Sequence, residues 1–199
     1  TFIKDGNFQL GFLFFARRDY AAAMPLFEKS LHADSTFVPA LLNLGLCRLQ
    51  TKDQNGAIEV LRRVLDVNPK ETRARIWIGQ TLAAMDSLPE ALEIYQSAIV
   101  QDSTNADAMR GAGLVLQLQK NCADAQGYLE RATGIEPSNL SGHIWLGQAY
   151  SICGDASRAK IEFNKALDID PTNVEASKGL ERIRKFEQQQ QARTSGEKQ

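Results

Sequence analysis

The side chains able to carry chemistry are few and scattered. Two histidines, His32 and His143, and three cysteines, Cys47, Cys122 and Cys153, are the nitrogen and sulfur ligands a zinc-type metal would need. No two of them stand at metal-ligand spacing, and there is no C-x-x-C pair. The chain has no glycine-rich phosphate loop and no G-x-S-x-G nucleophile turn. The acids Asp34, Asp66, Asp102, Glu136 and Asp168 recur at near-even intervals, where they read as turn residues rather than as acid–base pairs. The expected activity is therefore binding, not catalysis, with no cofactor and no metal.

Composition narrows what is bound. Lys and Arg total 23 against 24 Asp and Glu, a net charge of -1. That balance gives no general electrostatic grip on nucleic acid or anionic lipid. Hydrophobic residues at 43% and charged residues at 24% match a soluble globular chain. The longest apolar run, Phe12 to Ala16, is far short of a membrane span, so no direct membrane insertion is expected. An odd, unpaired set of cysteines leans toward a reducing compartment, hence the cytoplasm.

The elements that position these residues come from an internal repeat. Gly11, Gly45, Gly79, Gly113 and Gly147 are each 34 residues apart, and so are Ala23, Ala57, Ala91, Ala125 and Ala159. Two coincident series with no insertion define a repeat of 34 residues. Within residues 140–173, Ile144, Leu146, Tyr150 and Ile152 recur at helical spacing, Gly154-Asp155 breaks the run, and Ala159, Phe163, Ala166 and Leu167 start a second. Asp170-Pro171-Thr172-Asn173 ends that second helix, and Asn173 can cap the next. Each unit thus reads as two helices and a short turn. The glycine and alanine let the helices cross closely, and Phe27, Leu61, Tyr95, Leu129 and Phe163, four residues after each alanine, fill the gap. One hairpin cannot bury its apolar face alone, so neighbours stack.

This spacing resembles the tetratricopeptide repeat, W-x2-L-G-x2-Y, then A-x3-F, then P. Leu146-Gly147, Tyr150, Ala159, Phe163 and Pro171 carry the match best. The resemblance implies an all-α, right-handed superhelical solenoid of about eleven helices. Its repeats are 4–37, 38–71, 72–105, 106–139 and 140–173, followed by a capping helix over 174–192 and a disordered tail over 193–199. Residues 1–192 read as a single domain. The family's early tryptophan is absent; Asn7, Leu41, Arg75, Met109 and His143 stand there. Trp77 and Trp145 lie two residues later, about 200° round the helix.

The ends of the stack differ. In the capping helix Leu180 and Ile183 can cover the fifth repeat, while Glu181, Arg182, Arg184, Lys185 and Glu187 face water. The first helix, with Phe2, Ile3, Phe8, Leu10, Phe12, Leu13, Phe14 and Phe15, is apolar nearly all round. It either leans on the second repeat or meets something else: a second copy, a docked partner or a preceding segment. Phe8, Phe12 and Phe15 are the candidates for self-association into a homo-oligomer.

In the family's stacking, first helices line a concave face. The matching positions are Phe8, Phe12, Leu42, Asn43, Leu46, Arg73, Trp77, Gln80, Arg110, Leu114, Ile144, Trp145 and Gln148. Such a surface, apolar with two tryptophans and some amides, suits a protein or peptide segment with aromatic or aliphatic anchors. Trp77 and Trp145 read equally as groove contacts and as packing, and leucines such as Leu42 and Leu46 as packing. Some relatives clamp the C-terminal carboxylate of heat-shock chaperones with Lys, Asn and Arg; here Phe8, Phe12, Asn43, Arg73 and Trp77 stand at those positions. Only Asn43 is kept and Arg73 matches in part, so the co-chaperone reading is the weaker one. Asn139-Leu140-Ser141 has the form of a glycosylation acceptor, but Asn139 stands where a helix-capping residue is expected.

Overall fold

The structure is a computed structural model that describes residues 2–196, with side chains described over 4–193. The described residues are all helical apart from turns, with α1 Phe2–Ala16, α2 Tyr20–Ala33, α3 Val38–Gln50, α4 Gln54–Val67, α5 Thr72–Ala84, α6 Leu88–Gln101, α7 Ala106–Leu118, α8 Cys122–Ile135, α9 Leu140–Ile152, α10 Ala156–Ile169 and α11 Val174–Gly196. From α2 on, starts of like helices are 34 residues apart through α11, as the glycine and alanine series require. The side chains of Phe2 and Ile3 lie outside the described residues.

The chain divides into two compact units, Thr1–Ser103 and Thr104–Gln199, where the sequence reading has one domain. The first unit holds the hairpins α1–α2, α3–α4 and α5–α6, with α2 packed on α3 and α4 on α5. The second holds α7–α8 and α9–α10, with α8 packed on α9 and α11 closing on α10.

Local chemistry sets the helix ends. Asp19, Asp53, Asn121 and Asp155 open α2, α4, α8 and α10, each with a side-chain oxygen accepting a backbone N–H inside the first turn. Ser87 stands at the same place before α6 without such a bond. Asn139 Oδ1 accepts from Gly142 N at 2.9 Å and Asn173 Oδ1 from Ala176 N at 3.0 Å, so both are helix caps. Before each of these second helices stands one residue with positive φ: Arg18, Lys52, Asp86, Lys120 and Gly154, at 62°, 66°, 61°, 61° and 84°. That left-handed residue terminates the preceding helix, and glycine supplies it in the last repeat alone.

The repeated glycines mark the crossings. A Cβ on Gly45 would lie 2.8 Å from Leu61, one on Gly79 2.8 Å from Tyr95, and one on Gly147 2.9 Å from Phe163. The large residue four positions after each alanine therefore occupies the space that the glycine leaves open. Phe27, Leu41, Leu61 and Ile78 are fully buried in the first unit, and Leu129 and Phe163 in the second. In α11, Ile183 is buried and packs with Phe163 and Ala166, while Gly179 lies against the other edge of the Phe163 ring. The helix continues through Gly196, past the boundary expected at 192, although of residues 193–196 only Arg193 is a strong helix former. Residues 197–199 of the expected tail lie outside the described residues.

Candidate partner-binding surface

In the first unit the predicted face is mixed. Phe8 is half-buried and packed on Phe27 and Phe37, with ring centroids 5.8 and 5.1 Å apart, so it belongs largely to the hairpin core. Phe12 is 49% exposed and stacks on the half-buried Phe15 at 6.2 Å. Phe15 in turn meets Tyr20 edge-on. Leu42 is buried, a packing residue rather than a contact, because α3 is enclosed by helices on both sides. Leu46 and Trp77 are half-buried and Gln80 is exposed.

Two polar residues on this face are already engaged. Asn43 Nδ2 donates to the Pro39 carbonyl at 2.8 Å, one turn back on its own helix. Arg73 Nε donates to Glu71 Oε1 at 2.8 Å, and that guanidinium holds the Glu71 carboxyl below the usual carboxylate range. A carboxylate clamp needs free converging cations, and here Arg73 is partnered and Asn43 bonded to its own backbone.

In the second unit two predictions change character. Arg110, expected on the concave face, is buried: its guanidinium is held by Asp107 and by Glu136 Oε2 at 2.6 Å. A buried charge must be paired, and these two acids pair it, so it is structural. Ile144 is 3% exposed and belongs to the core. Leu114, Trp145 and Gln148 are half-buried, and Trp145 packs one side against the core cluster of α9, α10 and α11. Trp145, Gln148 and Ile152 follow at i, i+3 and i+7, so they form one stripe along α9.

His143, at the position of the family's missing tryptophan, is buried. Its Nδ1 lies 2.7 Å from Glu162 Oε2 and its Nε2 2.9 Å from the Pro137 carbonyl, so it ties the turn before α9 to α10. Tyr150 Oη donates to Glu130 at 2.5 Å, with Arg158 over its ring at 4.5 Å. Burial, aided by Glu130, pushes its phenol up to about 12. Among the described residues no group of three or more His, Cys, Asp or Glu is placed to hold a metal.

Two of the three cysteines are paired, against the expectation of an unpaired set. Cys122, the first residue of α8, and Cys153, the C-cap of α9, form a disulfide with Cα atoms 5.7 Å apart. They occupy different positions in adjacent repeats, and stacking brings those positions together. Only Cys47 is a free thiol among the described residues, and burial pushes it up to about 11. The lean toward a reducing compartment thus loses its premise.

Between α9 and α11 lie three adjoining depressions of about 450, 290 and 370 Å³. Arg182 borders all three. The sequence marks Arg182 as a solvent-facing charge of the capping helix, which is true, and says nothing of the hollow beside it.

Three tetratricopeptide repeat models match the chain, over residues 14–75, 55–108 and 140–173. The chain belongs to the tetratricopeptide repeat family. Among curated relatives, tetratricopeptide repeat protein 1 of Schizosaccharomyces pombe is 23% identical over 203 residues, spanning 90% of this chain and 19% of the relative. The protein O-mannosyl-transferase Tmtc3 of Drosophila melanogaster is 26% identical over 132 residues, spanning 66% of this chain and 14% of the relative. The chain thus spans less than a fifth of either. Among solved structures, MamA superposes with a TM-score of 0.75 at 25% identity, over 85% of this chain and 93% of that one. YrrB, described as a tetratricopeptide repeat protein with an unusual peptide-binding site, gives 0.69 at 18% identity, over 85% and 88%. The fold of this tetratricopeptide repeat protein is that of a protein–protein interaction scaffold. No described helix is long and apolar enough to cross a membrane.

Proposed function

We propose that this tetratricopeptide repeat protein is a non-catalytic scaffold that captures a segment of a partner protein on the faces of its first helices. The observation that carries this reading is the half-buried state of Trp77 on α5 and Trp145 on α9. An indole fixed on one side by packing and open on the other is an anchor that loses little entropy on binding. Around them Leu46, Gln80, Leu114 and Gln148 are partly or fully exposed. Leu42, Arg110 and Ile144 leave the contact set because they are buried. The test is affinity capture of partners, mapping of the bound segment, and calorimetry of that segment with Trp77→Ala and Trp145→Ala. Binding weakened roughly 30-fold by either change, with helicity retained, supports the reading.

A second reading rests on a separate observation. On α1, Leu10, Phe12 and Leu13 are 45%, 49% and 58% exposed, apolar surface spread round the helix that a second copy could cover. Light scattering of the wild type and of Phe12→Ser tests it: a dimer that the change dissociates supports assembly, and a wild-type monomer at all concentrations removes it.

A further inference from the structure

The hollow between α9 and α11 has a charge and a shape that specify an occupant. Its walls come from one stripe of each helix, Gln148, Ser151 and Ile152 on α9 and Arg182 and Phe186 on α11. One end is apolar: Ile152 is 61% and Phe186 56% exposed, and the buried Ile183 forms the floor between them. Two large apolar side chains facing water across a depression are costly unless something covers them.

Arg182 stands beside this slot. Its side chain is exposed and makes no hydrogen bond or ion pair among the described residues. Two of the cations near it on α11 and α10 are instead held. Lys185 pairs with Glu181 at 2.7 Å and Lys160 with Glu187 at 2.7 Å. Arg182 is also the only charged side chain among those bordering the two depressions at the apolar end. The third depression continues past it between Lys178 and Glu175. A free guanidinium offers a fork of parallel donors that matches a carboxylate, next to a slot that matches an aromatic or branched side chain.

We propose that this groove binds a short peptide segment in which an acidic residue adjoins a bulky apolar one. The carboxylate sits on Arg182 and the apolar side chain enters between Ile152 and Phe186. The proposal rests on the peptide-capture reading above and adds a site and a ligand class to it. Cys153 lies between the wall residues Ile152 and Gly154, so the Cys122–Cys153 disulfide fixes that wall to α8.

The test is fluorescence polarisation on the full chain with labelled decapeptides that carry Glu-Glu-Phe-Leu, Lys-Lys-Phe-Leu or Glu-Glu-Ser-Ser between Gly-Ser flanks. The acidic–apolar peptide is expected to bind at least tenfold more tightly than either other. Arg182→Glu and Phe186→Ser, both exposed changes that leave helicity intact, should each weaken it at least tenfold. Arg182→Lys should cost less than Arg182→Glu. Equal binding of all three peptides, or no binding at all, overturns the proposal. So does binding lost in Trp145→Ala but unchanged in Arg182→Glu, an outcome that leaves the first-helix reading standing. Co-sedimentation with phosphatidylserine vesicles that depends on Arg182 and Phe186, or a dimer that Phe186→Ser dissociates, assigns the slot to another occupant and likewise overturns it.

Discussion

A Cβ added to Gly113 would lie 2.6 Å from Cγ of Leu129 and 3.2 Å from the carbonyl oxygen of Ala125. The first helix of that repeat therefore rests directly on the second, and the leucine fills the space a side chain would need. Gly113→Ala should cost about 1–3 kcal/mol by overpacking. The cost should shrink in a Leu129→Ala background, because the clash is with that side chain. Urea denaturation of the four members of the cycle reads the coupling; independent effects would mean that the two residues do not share the crossing.

The turns make a prediction of opposite sign. Lys52 and Lys120 hold φ of 66° and 61°, a conformation that costs residues with a Cβ about 1–2 kcal/mol per residue. Glycine avoids that cost but loses more entropy on folding. Lys52→Gly and Lys120→Gly should thus stabilise modestly, by about 0.5–1 kcal/mol, whereas Gly154→Ala should destabilise by about 1 kcal/mol. Thermal melts of the three variants check the signs.

The Cys122–Cys153 bond closes a loop with a sequence separation of 31. A tie of that length removes unfolded-chain entropy worth about 2–4 kcal/mol. Reduction by a phosphine should lower the unfolding free energy of the second unit in urea by that amount, and Cys122→Ser with Cys153→Ser should reproduce it. Alkylation with iodoacetamide under native conditions should leave Cys47 unmodified until the chain unfolds, since it is buried and its thiol is pushed up to about 11.

Tyr95 and Tyr150 are both pushed up to about 12, chiefly by burial, from an ordinary value of about 10. The folded state holds these protons more tightly than the unfolded state does. Their contribution is therefore complete below about pH 10 and lost as the pH rises toward 12. Stability measured from pH 9 to 12 should fall over that window, and Tyr95→Phe should flatten part of the fall.

The repeat, its helix hairpins and its crossing residues were legible because one steric requirement recurs at one period: Gly79 must face Tyr95 as Gly147 must face Phe163. Caps were legible for the same reason, as Asn139 and Asn173 bind backbone N–H groups within three residues. What escaped depends on contacts between helices. Cys122 meets Cys153 only once adjacent repeats stack, and Arg110 meets Glu136 across 26 residues only once the hairpin of their own repeat closes. Leu42 and Leu46 show the same limit: both lie on one helix face by periodicity, but neighbouring helices bury the first and leave the second half-open. The hollow at Arg182 needs two helices to exist at all.

Capture of a partner segment on the first-helix faces through half-buried tryptophans requires its affinity to depend on those indoles. Isothermal titration of a mapped partner segment into wild type, Trp77→Ala and Trp145→Ala tests it most directly. Affinity should fall about 30-fold in at least one tryptophan variant whose helicity and melting are near wild type. Unchanged affinity in both, with the fold intact, would contradict it and move the binding site off the first-helix faces.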